Sequence, residues 1–89
     1  MTQTKTFVVT SEHGLHARPA TVLVQAAMAF QARIMVSCNR ATADAKSLLA
    51  LLMLGATKGT KLTITADGID AADALHAIQQ TNGLSEAAN

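Results

Sequence analysis

Apolar residues recur along this chain with two periods, and the switches between them divide it into elements. In Lys5–Thr10, Phe7 and Val9 share one face and Val8 lies on the other, the alternation of a strand. From Ala20 the step lengthens. Ala20, Leu23, Val24, Ala27 and Phe30 return every three or four residues, which predicts a helix over about Ala17–Phe30 with Thr21, Gln25 and Met28 on its outer side. Ile34, Val36 and Cys38 alternate as a second strand. Asn39-Arg40 then predicts a tight hairpin into a short strand around Ala41–Ala45, although Arg40 is an awkward occupant of a turn that favours glycine at φ > 0.

Ser47 is a good N-cap and Gly55 a good stop, so the leucine-rich stretch between them predicts a two-turn helix. Leu62, Ile64 and Ala66 alternate as a last strand, ended by Asp67-Gly68. Asp70 and Asp73 have the spacing of a capping box for a final helix, Ala71 to about Asn82. Its buried stripe is Ala71, Ala74, Leu75 and Ile78, and Gly83 ends it. The order β-α-β-β-α-β-α predicts an α+β open-faced sandwich: a four-stranded antiparallel sheet with three helices on one face, forming a single domain over residues 1–89.

The middle helix holds more leucine than it can hide. At the helical angle, Leu51 and Leu54 share one side, whereas Leu48, Leu49 and Leu52 share another. Only one side can face the sheet. The other is either covered by a neighbour or exposed as an apolar patch of the kind that meets a protein partner.

Composition narrows the function classes. The formal net charge is +1 and no basic cluster occurs, which argues against nucleic acid as a partner. Every Lys and Arg lies at or before Lys61, while Asp67, Asp70, Asp73 and Glu86 follow; the asymmetry reads either as two solvated faces or as a His16 end that meets acidic protein surfaces. The lone Cys38 offers neither a disulfide framework nor a thiolate metal set, and it reads as core. Met1–Thr10 lacks the apolar centre of a signal peptide, and the longest apolar run, Leu48–Ala56, is too short to span a bilayer. A monomer in the reducing cytoplasm, away from membranes, is the expectation.

The chemistry concentrates in His13-Gly14-Leu15-His16-Ala17-Arg18-Pro19-Ala20-Thr21. Pro19 lacks an N–H, which costs little in a first helical turn, where the amides have no intrahelical acceptor. His16 is thereby placed at or beside the N-cap, with unpaired N–H groups and the positive end of the helix dipole behind it, a setting for phosphate or carboxylate. Other readings stay open: a plain capping histidine, a general base, or half of a metal site with His13. No nucleophile elbow supports the second, and no Cys or carboxylate completes the third. His76, on the polar side of the last helix, receives no role.

Gly14-Leu15-His16-Ala17-Arg18-Pro19-Ala20 resembles the signature of the HPr family, the histidine-containing phosphocarriers of the bacterial sugar phosphotransferase system. The likeness continues through Lys46-Ser47-Leu48-Leu49, Leu54-Gly55 and Ile64–Ala71, nearly the whole chain. It implies that His16 carries a phosphoryl group on Nδ1, taken from enzyme I and passed to enzyme IIA proteins or domains. Arg18 and the Ala17 backbone would hold the phosphate oxygens, and Ala17, Ala20, Leu48, Leu49 and Leu52 would form the docking surround. The protein is then a relay without turnover of its own, and needs neither cofactor nor metal. Lys46-Ser47 is similar to a regulatory site at which HPr kinase/phosphorylase modifies the serine, and the modified form binds catabolite control protein A. Arg40, Gln25, Met28 and Ala50 depart from common family choices. A purely regulatory module acting through Ser47, and a carrier in a nitrogen-linked branch of the same system, are the alternatives.

Overall fold

The computed structural model describes residues 1–39 and 41–87. Its elements are β1 (Thr2–Val9), α1 (Ala17–Met28), β2 (Arg33–Cys38), β3 (Ala41–Asp44), α2 (Leu48–Met53), β4 (Lys61–Asp67), α3 (Ala71–Gln79) and β5 (Leu84–Glu86). The α+β order follows the apolar periods with one correction: the sheet has five strands, in the order β3-β2-β4-β1-β5, where four were expected. The fifth pairs antiparallel with β1, Val9 opposite Leu84 and Phe7 opposite Glu86. Its three residues carry a single apolar side chain, too short a run for alternation to show. It covers an edge that β1 would otherwise expose.

Register explains why one sheet face is apolar. Phe7 lies opposite Leu62, Val36 opposite Ile64, and Ile34 opposite Ala66, so side chains of one face meet as cross-strand pairs. All six are fully buried, together with Leu23 of α1, Leu51 of α2 and Ile78 of α3. The other face pairs Thr4 with Thr65, Thr6 with Thr63 and Ser37 with Thr63, and it faces outward without helices.

The helices are shorter than the periodicity predicts. α1 ends at Met28, before Phe30, and α2 has six residues. The α1–β2 turn is held from outside: Lys46 Nζ donates to the Phe30 carbonyl at 2.7 Å, and the Asp70 carboxylate accepts from the Gln31 and Ala32 amides at 2.8 Å each. This overturns the capping-box expectation. Asp70 is the N-cap of α3 but makes no side-chain cap bond, because its oxygens are engaged by the neighbouring turn. The Gln31 amide is the main reason the Asp70 carboxyl lies below its ordinary range; partial burial opposes it, and the Ala32 amide, Asp70's own amide and the Lys46 charge add to it.

At the β2–β3 hairpin, Cys38 pairs with Ala41 and Asn39 has φ +56°, a conformation Asn tolerates. Arg40 lies outside the described residues. Cys38 is buried, as core. No helix among the described residues is long and apolar enough to cross a membrane.

Candidate functional site

The segment before α1 is pinned at three points. The Gly14 amide donates to the Ser11 carbonyl at 3.0 Å and closes a turn. Leu15 is buried, and its amide donates to the Ala56 carbonyl at 2.9 Å, tying the segment to the α2–β4 loop. The His16 amide turns back to the Gly14 carbonyl at 2.9 Å. Gly14 has φ +76°, and a Cβ there would collide with the Ala56 carbonyl oxygen, so the crossing requires glycine on both counts.

His16 is the N-cap of α1, with extended backbone (φ −89°, ψ −169°), and its ring does not cap the helix. A histidine excused from capping leaves its ring nitrogens available. The ring is half-exposed between two open grooves. One, of about 480 Å³, is walled by the Ser11–His13 turn, Arg18, Pro19 and the Asn82-Gly83 loop. The other, of about 540 Å³, runs along Ala17, Arg18, Thr21 and Val22. Ala17 and Arg18 occupy the first two helical positions and are both exposed. Among the described residues their amides have no backbone acceptor, and the first intrahelical-type bond is Ala20 N–H to the His16 carbonyl at 3.0 Å. Two amide donors and a guanidinium thus stand beside one imidazole, an arrangement suited to an anion with several oxygens.

Gly83 explains how the far end of the chain builds the groove. A Cβ there would come within 2.9 Å of the Pro19 Cβ, and its carbonyl accepts from the Thr10 amide at 2.9 Å. Pro19 is buried, so the first turn of α1 is wedged in place while the cap stays open.

The middle helix divides as its spacing predicts. Leu51 is fully buried and Leu54 half-buried, whereas Leu49 is 68% exposed and Leu48 and Leu52 lie at 39% and 36%. Met53, absent from the expected patch, extends it at 76% exposure. Ala20 must be corrected: it is fully buried, one turn past Ala17 on the core-facing stripe, and cannot be part of a docking surface. Ser47 is the N-cap of α2, its Oγ accepting from the Ala50 amide at 3.2 Å, and it is partly exposed beside Leu48.

Two features escaped the sequence reading. The rim of the first groove carries an ion pair, Lys58 Nζ to Glu12 Oε2 at 3.2 Å, which links the turn to the α2–β4 loop. His13, weighed above only as half of a metal site, stands edge-on to His16, ring centroids 5.8 Å apart. No three His, Cys, Asp or Glu residues among the described ones gather as metal ligands.

The family described as the PTS HPr component phosphorylation site matches residues 3–82. The chain belongs to the HPr family, phosphocarriers of the sugar phosphotransferase system. Among solved structures, it is similar to the histidine-containing phosphocarrier protein of Mycoplasma, at 37% identity and a TM-score of 0.84, over 88% of this chain and 89% of that one. It is also similar to the phosphocarrier protein HPr of Bacillus anthracis, at 38% identity and a TM-score of 0.81, over 86% and 92% of the two chains. Crh, the catabolite repression HPr of Bacillus subtilis, matches at 31% identity and a TM-score of 0.66, over 89% and 93%. HPr membership agrees with the order of elements and with the open cap at the start of α1.

Proposed function

We propose that His16 accepts a phosphoryl group from enzyme I and passes it to sugar-specific enzyme IIA proteins or domains. The observation that carries this reading is the half-exposed His16 ring, unused as a cap, beside the unpaired amides of Ala17 and Arg18. In the transfer, the neutral Nδ1 of His16 attacks phosphorus in line. A nitrogen–phosphorus bond forms to His16 as the bond to the donor histidine breaks, and the donor imidazole leaves. Passage to enzyme IIA repeats the exchange with His16 as the leaving group.

The amides and Arg18 supply charge-assisted donors that offset the developing charge on the phosphoryl oxygens. Their exposure keeps the hold shallow, as a relay requires, since the cargo must leave again. Leu48, Leu49 and Leu52 are exposed and offer apolar area over which large partners dock. The chain works as a cytoplasmic monomer, and its role is that of a protein substrate between two catalysts.

Ser47 is the second site in this reading, a target for an HPr kinase/phosphorylase. It is partly exposed and adjoins Leu48 and Leu49, so a phosphate there places negative charge inside the docking face. The modified protein would oppose acidic partners and present a new surface to catabolite control protein A. The likeness to Crh supports weighing a purely regulatory module against the relay.

Incubation with enzyme I and labelled phosphoenolpyruvate separates them. The relay predicts acid-labile, alkali-stable label that is absent in His16→Ala. A regulatory module predicts no histidine label under the same conditions, with phosphate found only as acid-stable phosphoserine after treatment with the kinase.

A further inference from the structure

We propose that His13 is a second functional imidazole of this site, which in its protonated form donates to the phosphoryl group on His16 and so makes retention of that group depend on pH near neutrality. The inference rests on the carrier reading of His16 and deepens it. His13 and His16 stand with ring centroids 5.8 Å apart and planes at 72°, both lining the groove of about 480 Å³. A phosphoryl group on a ring nitrogen of His16 projects beyond the ring, and within this groove its oxygens come into hydrogen-bond reach of the His13 edge.

The placement of His13 is not a side-chain accident. Its backbone lies inside the turn closed by the Gly14 amide on the Ser11 carbonyl at 3.0 Å, and the next residue is locked against Ala56. The ring is exposed and, among the described residues, makes no hydrogen bond or ion pair. The charged groups around it are Glu12, Lys58, Arg18 and His16 itself. Glu12 is engaged by Lys58 at 3.2 Å, so the nearest carboxylate already has a cation. Arg18 faces the same groove and adds a second cation on the side where the phosphoryl oxygens would lie. Arrival of a phosphoryl dianion gives the His13 imidazolium a charge-assisted acceptor. Histidine is the side chain whose ordinary titration lies where this matters.

Linkage gives the consequence. The factor by which phosphorylation tightens the proton on His13 equals the factor by which that proton favours the phosphorylated form. A displacement of about one pH unit in the His13 titration therefore means about a tenfold preference for the phosphorylated form at low pH over high pH. His13 is a positioning residue here; it makes and breaks no bond to phosphorus.

The test is an NMR titration of all three histidine rings, before and after phosphorylation by enzyme I and phosphoenolpyruvate, with phosphorus located in the same sample. The expected result is phosphorus on His16, an upward displacement of the His13 midpoint by about one pH unit, and an unmoved His76, which does not line the groove. In His13→Asn, the equilibrium share of phosphorylated protein should lose the extra rise toward low pH that the unsubstituted chain shows against the same enzyme I. Phosphorus on His16 with an unmoved His13 midpoint overturns the role of His13 and leaves the carrier reading intact. Absence of phosphorus from His16 overturns both.

Discussion

Gly14 and the Ala56 carbonyl cross so closely that no side chain fits between them, and φ at Gly14 is +76°. The crossing joins the turn before α1 to the loop after α2 and thereby fixes the height of His16 above both. Gly14→Ala should lower stability by about 2 kcal/mol or more, combining a left-handed backbone cost with the collision. Urea unfolding checks it. Phosphoryl acceptance by the folded fraction should also fall, because the backbone must shift where it positions the cap.

Leu51 and Leu49 lie two residues apart on α2 with opposite fates. Leu51 is fully buried and Leu49 is 68% exposed. Leu51→Ala should cost about 2–5 kcal/mol of stability. Leu49→Ala should leave stability within about 0.5 kcal/mol, while weakening enzyme I docking by about fivefold or more, the loss of over 1 kcal/mol expected of an interface anchor. Parallel denaturation curves and KM values for enzyme I separate the two effects.

Arg18 is exposed at the second helical position and touches no acidic side chain among the described residues. Arg18→Ala should therefore leave stability within about 0.5 kcal/mol. It should lower the rate of phosphoryl transfer from enzyme I by about 10–100-fold, the worth of a charge-assisted bond of about 1.5–3 kcal/mol. Stopped-flow quench with labelled donor reads the rate directly.

Asp70 ties stability to acid pH. Held low chiefly by the Gln31 amide, its carboxyl binds a proton less readily in the folded chain than in the unfolded one. Its contribution is fully present above the unfolded value of about 3.9 and is lost as pH falls through the lower folded value. Asp70→Asn should unfold more easily at pH 7, and its stability should fall less steeply than that of the unsubstituted chain below about pH 4. Thermal melts across that range measure the difference.

Local signals in the sequence were enough for the helix starts and the sheet's buried face. Pro19 in a first turn and Ser47 before a leucine run are punctuation with a local mechanism, and both caps stand where they point. Features built from distant residues were not legible. Asp70 and Asp73 matched a local capping pattern, but the Asp70 oxygens bond to amides at positions 31 and 32, a competition that spacing cannot display. The first groove needs Asn82 and Gly83 brought against Pro19, so His13 seemed to have only His16 for company. Ala20 shows two lines of reasoning in conflict. Its periodicity placed it on the buried stripe, the family likeness on the docking surface, and the buried stripe is where it lies.

The most direct measurement is phosphorus–proton correlation NMR on the protein after incubation with enzyme I and phosphoenolpyruvate. The account predicts a single phosphorus coupled to ring protons of His16 in the pattern of Nδ1 substitution, and none in His16→Ala. Phosphorus on His13 or Ser47, or an unlabelled His16 with active enzyme I present, would contradict it.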